Sequence, residues 1–188
     1  MIRFSIILCL FLMHLNVFSQ KQERDSLELW TMFTIGNLVN TKAHEFVAQG
    51  LPIKIMHKTG DVFWETEDED AVFKTEIEFI EAHNDSVWTA LEKQGFKFPE
   101  ERYNENFQIE RTNLELALKL FNESPLIKTY YENRPRNRFP NVGIKKITAG
   151  VYGITVGSFD VENPVNTYKD EFLGKIDIKT RQTSIQKL

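Results

Sequence analysis

The last quarter of the chain constrains the fold more than any other stretch. From Gly143 it reads GIKKITAGVYGITVGSFD, and after a short interval YKDEFLGKIDIKTRQTSIQKL. In Val151–Phe159, Tyr152, Ile154 and Val156 fall on one face, and Gly153, Thr155 and Gly157 on the other. In Tyr168–Ile178, Phe172, Ile176 and Ile178 share a face with Gly174. A period of two with one apolar face specifies antiparallel strands covered on one side. Lys179-Thr180-Arg181-Gln182 reads as a tight turn and Thr183–Leu188 as a final strand. Such a sheet needs a cover, and most of the preceding chain has helical periodicity. The class is therefore α+β, with N-terminal helices packed on one face of a small C-terminal antiparallel sheet.

The first residues read as a secretory leader. Arg3 precedes an apolar run, Phe4–Leu12, broken only by Ser5, and Val17 and Ser19 stand at signal-peptidase spacing. Cleavage is expected after Ser19, leaving residues 20–188 as one domain, secreted or periplasmic. The apolar run is short for a membrane anchor, so no transmembrane segment is expected after cleavage. Cys9 follows bulky Leu8 in mid-run, which does not suit a lipid-attachment site. Removing Met1–Ser19 takes away Arg3 and no acid, so 23 basic side chains become 22 against 27 acidic ones, a net charge of −5. It also removes the single cysteine, so no disulfide can form and the fold rests on its core. Fifteen Phe and three Trp supply apolar area for that core. The mild acidity argues against nucleic acid as a partner.

The helical part begins at Asp25 or Ser26, either of which can cap. Leu29, Met32, Phe33, Gly36, Val39, Ala43, Phe46 and Val47 recur at three- and four-residue steps, and Gly50 and Pro52 follow as stop signals. The spacing predicts one helix over Asp25–Gln49. Pro52–His57, a turn at Lys58–Asp61 and Val62-Phe63-Trp64 read as a small hairpin or a packed loop. Glu65–Asp70, ETEDED, offers calcium-type oxygen ligands, but it has no central glycine and the wrong spacing for a helix-loop-helix site. Acids at a helix N-terminus, with Asp68 or Asp70 as cap, explain it more simply. That helix carries Val72, Phe73, Ile77, Ile80, Val87, Trp88 and Leu91 to Gly95, with His83–Ser86 interrupting it or facing solvent. Pro99-Glu100-Glu101 suits another helix start, and Thr112 can cap a helix over Thr112–Asn133 broken at Ser124-Pro125.

The connection into the sheet holds Arg134, Arg136 and Arg138, with Lys145 and Lys146 close behind. A guanidinium fork matches carboxylate or phosphate, so these five residues form a candidate contact for an anionic ligand or an envelope protein. In an extended segment the three arginines would point one way. Pairing with surface carboxylates would instead make the loop a solvated connector.

The helix ALKLF, the strand GVYGITV and the ending GKIDIKTRQTSI resemble exported PepSY-like modules and the broader cystatin-like arrangement of one helix and three strands. Such modules often close on a G-x-V-D-x-x-T-G-x-V strand. Gly174, Ile176, Asp177, Thr180 and Ile185 correspond, while Arg181 replaces the turn glycine and the spacing is longer. The likeness covers only the last third of the chain. It implies a binding or inhibitory module of the cell envelope.

Residues for chemistry are sparse. His44, His57 and His83 belong to no H-E-x-x-H or H-x-H pair, so no metal site is expected. There is no G-x-S-x-G, Walker loop or G-x-G-x-x-G, so no catalytic residue and no cofactor are assigned. Gly150–Gly157 alternates as strand, where glycine marks close packing or a bulge. Asn84-Asp-Ser86 and Asn122-Glu-Ser124 are glycosylation sequons, relevant only in a eukaryotic secretory pathway. Two readings follow. One is a non-catalytic binding module of the bacterial envelope, contacting partners through a helix–sheet groove or the arginine loop. The other is a small exported hydrolase using histidine and carboxylates. A histidine bonded to a buried carboxylate in a cleft favours the second; scattered histidines favour the first.

Overall fold

The computed structural model describes residues 27–32, 37–58, 69–160 and 168–188. The expected leader, the cap at Asp25 or Ser26, Phe33, Gly36, Val62–Trp64 and Glu65–Asp68 lie outside them. The C-terminal alternation forms the expected sheet: β3 (Arg138–Thr148), β4 (Val151–Asp160), β5 (Lys169–Asp177) and β6 (Gln182–Lys187), antiparallel and in that order. Ile144, Tyr152, Ile154, Val156, Phe172 and Ile176 fill its inner face and are all buried. Period two is what places them together. The β5–β6 turn is held by Asp177, whose Oδ1 accepts from the Lys179 and Thr180 amides at 2.9 and 3.2 Å. Those N–H groups, Thr180's first, hold the Asp177 carboxyl below its ordinary range. Arg181 then takes a left-handed backbone, φ 56°, the conformation a turn glycine adopts most cheaply.

Helices cover one face of this sheet. They are α1 (Leu38–Ala48), α3 (Pro99–Asn122) and α4 (Pro125–Asn133). Phe121 of α3 is fully buried and lies on Gly174 of β5. A Cβ built on Gly174 would stand 2.7 Å from the Phe121 ring, so the missing side chain is what lets the helix approach. The expected helix start at Thr112 is not one. Pro99 begins a helix that runs through it, and the Thr112 hydroxyl donates to the Gln108 carbonyl one turn back at 2.9 Å. The break at Ser124-Pro125 stands as expected: proline takes the first position of α4.

The N-terminal half departs further from expectation. Asp25–Gln49 is not one helix. Leu27–Met32 is a strand, β1, and pairs in parallel with β2 (Ile53–Lys58) through the intervening α1. Leu29 and Thr31 are buried and their neighbours are not, which is strand spacing. Asn37 caps α1 by accepting from the Asn40 amide at 3.2 Å. Pro52–His57 is thus largely strand, but its described partner is the distant β1. The helix α2 (Glu69–Lys93) runs uninterrupted through His83–Ser86, and it contains Asp70 within its length. Gly95 lies beyond its end with φ 93°, as a helix-stop glycine should. Leu29, Ile53, Val87, Trp88, Leu91 and Tyr103 make a second core beside that of the sheet, and α1 and α3 contribute to both. Among the described residues no helix is long and apolar enough to cross a membrane.

Candidate functional site

Two faces of helix and one strand edge meet at the second core. Glu81, Asn84, Asp85 and Trp88 stand at i, i+3, i+4 and i+7 on α2, so they line one face. Glu100, Tyr103 and Asn104 do the same on α3. With Leu29–Met32 of β1 and His44 of α1 they enclose a cleft of about 260 Å³.

The polar pairing around this cleft is specific. Asn84 Oδ1 accepts from the Trp30 amide and its Nδ2 donates to the Trp30 carbonyl, both at 2.9 Å. His83 Nε2 donates to the Glu28 carbonyl at 2.8 Å. Alternate residues of a strand direct their backbone groups to the same side, so α2 side chains stand where a further strand would pair with β1. The His83 ring stacks on Trp30 at 3.5 Å and the Lys58 ammonium lies 3.8 Å from the same ring's centre. A ring has two faces, so the two neighbours take one each. The Trp30 indole N–H is buried without a partner among the described residues.

His44 and the Tyr103 hydroxyl are hydrogen bonded at 2.7 Å, and Phe107 stacks on the imidazole at 4.1 Å. Burial, and secondarily the neighbouring His57, lower the His44 pKa to about 4. The ring is therefore neutral at pH 7. Burial pushes the Tyr103 phenol up, so it too is uncharged. His57 sits opposite Thr31 in the β1–β2 register and bonds its hydroxyl at 2.8 Å. Glu45, with a 36 % exposed side chain, stands 3.9 Å from the other ring nitrogen. The three histidines thus gather around β1. His44's partner is a phenol, His83's a backbone carbonyl, and the carboxylate near His57 is half in water.

The basic residues do not share a face. The Arg138 amide donates to the Pro135 carbonyl at 3.0 Å, which makes a turn where an extended run was expected. Arg136 is exposed, whereas Arg134 is half-buried. Arg138 Nε donates to the fully buried Ser158 hydroxyl at 2.9 Å, which in turn donates to Glu171 at 2.8 Å. Lys145 is exposed and lies over Gly153 on the outer side of the sheet. Lys146, the next residue, points inward and pairs with Glu110 of α3. Glu110 is 6 % exposed and also accepts from the Tyr152 hydroxyl at 2.6 Å. Burial, then this bond, raise the Tyr152 phenol. The network ties helix to sheet and leaves Lys146 committed. Among the described residues no group of three or more His, Cys, Asp or Glu is placed to hold a metal ion.

Sequence reasoning noted His44, His57 and His83 but not the cleft. The i, i+3, i+4, i+7 run Glu81-Asn84-Asp85-Trp88 was the available signal: a polar and aromatic stripe beside the buried positions Ile80, Val87 and Leu91. Fold and cleft together define an α+β protein with a histidine- and aromatic-lined cleft beside its N-terminal strand pair. The chain matches no protein-family model, no curated protein and no solved structure.

Proposed function

We propose that this chain is an exported, non-catalytic binding module of the bacterial cell envelope, with the cleft between β1, α1, α2 and α3 as its ligand site. The leader at Met1–Ser19 supports export, and the lack of cysteine in residues 20–188 suits a bacterial envelope. The observation that carries the reading is the cleft itself: Trp30, Trp88 and Tyr103 in its walls, with polar groups converging from two helices. The neutral His44–Tyr103 pair can orient a ligand by hydrogen bonding. An imidazole with a pKa of about 4 is a poor proton acceptor at pH 7 and is almost never protonated there to act as a donor acid. A fragment screen read by amide and indole NMR shifts tests the reading. Ligands should shift the Trp30 and Trp88 signals, and filling the cleft with Asn104→Trp should abolish the shifts. A screen silent at those residues would sink the reading.

One observation favours the hydrolase alternative. Thr31, His57 and Glu45 stand in nucleophile–base–acid order. It is the weaker reading, because Thr31 is only 8 % exposed and its bond to His57 is an ordinary cross-strand pair. Ester hydrolysis by the exported protein that disappears in both Thr31→Val and His57→Gln would reverse the order of the two readings.

A further inference from the structure

The walls and the rim of the cleft differ in chemistry. The walls mix aromatic and apolar side chains, Trp30, Trp88 and Tyr103 among them, with uncharged polar ones such as His44, Asn84 and Asn104. The rim carries Glu81, Asp85 and Glu100, all exposed, and no lysine or arginine lines the cleft. None of the three carboxylates has an ion-pair partner among the described residues. Glu100 has a local reason to be acidic, since it stands in the first turn of α3 where the helix dipole favours negative charge. Glu81 and Asp85 have no such reason. They lie in the middle of α2, four residues apart, where like charges repel. A bound cation would relieve that repulsion. Carboxylates grouped around a concave surface focus a negative field into it. The neutral His44 in the wall adds an uncharged polar group and no opposing positive charge.

We propose that the cleft takes an organic cation, an ammonium or guanidinium on a short apolar stem, with the charge held between Glu81, Asp85 and Glu100 and the stem against Trp88 and Tyr103. This rests on the binding-module reading and specifies its ligand. The volume, about 260 Å³, lies below the ~300 Å³ at which sites for drug-sized molecules begin, so the occupant is small. A free amine and a lysine side chain of a partner protein share this chemistry, and the test separates them.

The exported protein is titrated with 3-phenylpropylammonium, 3-phenylpropanol and 3-phenylpropionate, which share one stem, and with a blocked Gly-Lys-Gly peptide. Chemical shifts of Trp30, Trp88 and Tyr103 report occupancy. The ammonium should bind at least about tenfold more tightly than the alcohol, and the carboxylate more weakly than either. The double variant Glu81→Gln, Asp85→Asn should weaken the ammonium about ten- to thirtyfold, at roughly three- to sixfold per carboxylate, and leave the alcohol unchanged. Added salt should weaken the ammonium in the same direction. Both substituted residues are exposed, and an unchanged melting curve verifies that the variant folds. Binding of the peptide at least as tight as that of the free amine assigns the cation to a protein partner; binding of the amine alone assigns it to a small molecule. If alcohol and ammonium bind alike, or the double variant binds the ammonium unchanged, the cation assignment is overturned while the cleft remains a binding site. If no probe shifts these signals and the fragment screen is silent there too, both the assignment and the binding-module reading fall.

Discussion

Acid should destabilise this protein through His44, and the size of the effect follows from its surroundings. The imidazole is held between Tyr103 and Phe107, and burial lowers its pKa from an ordinary 6.5 to about 4. The folded state refuses a proton that the unfolded chain accepts readily. Below pH 6.5 the unfolded state therefore binds more protons, and stability falls as pH falls. The loss accumulates between about 6.5 and 4, levels off below that, and is absent above 6.5. At about 1.4 kcal/mol per pH unit the full difference would be about 3.4 kcal/mol. His44 borders an open cleft, where water screens part of the penalty, so about 2 kcal/mol is the expected loss. Urea unfolding followed by circular dichroism at pH 7.5, 6.5, 5.5 and 4.5 measures it, with His44→Gln as reference. Carboxylates titrate in both proteins, so their contributions largely cancel in the difference. Wild type should lose about 2 kcal/mol more than the variant across this range. Equal slopes, or a histidine resonance of residue 44 that titrates near 6.5, would refute the reasoning.

The remaining predictions concern the sheet. Lys146→Met should leave the Glu110 carboxylate buried with one donor fewer and cost about 3–5 kcal/mol in urea unfolding; Glu110→Gln together with Lys146→Met should recover most of that loss. Gly174→Val should cost at least about 2 kcal/mol, because its side chain enters the space of the Phe121 ring, and Phe121→Leu should reduce the cost of the valine in a double-mutant cycle. Arg181→Gly should raise stability by about 0.5–1 kcal/mol, since glycine adopts the left-handed backbone there without strain; an unchanged or lower Tm would count against that account.

What was legible in the sequence is what short-range spacing controls. Tyr152, Ile154 and Val156 define a strand face by themselves, and Ser124-Pro125 and Gly95 punctuate helices by local sterics. Leu27–Met32 was misread because its apolar residues fit two periods. Leu29 and Met32 begin a helical stripe, while Leu27, Leu29 and Thr31 alternate, and only pairing with Ile53–Lys58 across the intervening helix decides between them. Asn37 before Leu38-Val39 was a local cap signal for the shorter helix. Thr112 was misread for the opposite reason: a good capping residue tolerated in mid-helix because its hydroxyl bonds back to Gln108. The cleft needed three helices and a strand to converge, and no window along the chain holds more than one of its walls.

The closure of β1 by Asn84 and His83 has a consequence for how this chain meets other copies of itself. One amide and one imidazole stand where a neighbouring strand would otherwise run. A strand's ladder unzips bond by bond, but these two side chains leave together if α2 shifts or has yet to dock. Leu27–Met32 would then present an open, apolar template. A newly made chain passes through that state whenever the parallel pair forms before the helix settles, and crowding would turn it into intermolecular strand addition. Asn84 thus blocks strand addition at this edge, and yield from overexpression is where its loss would first be felt.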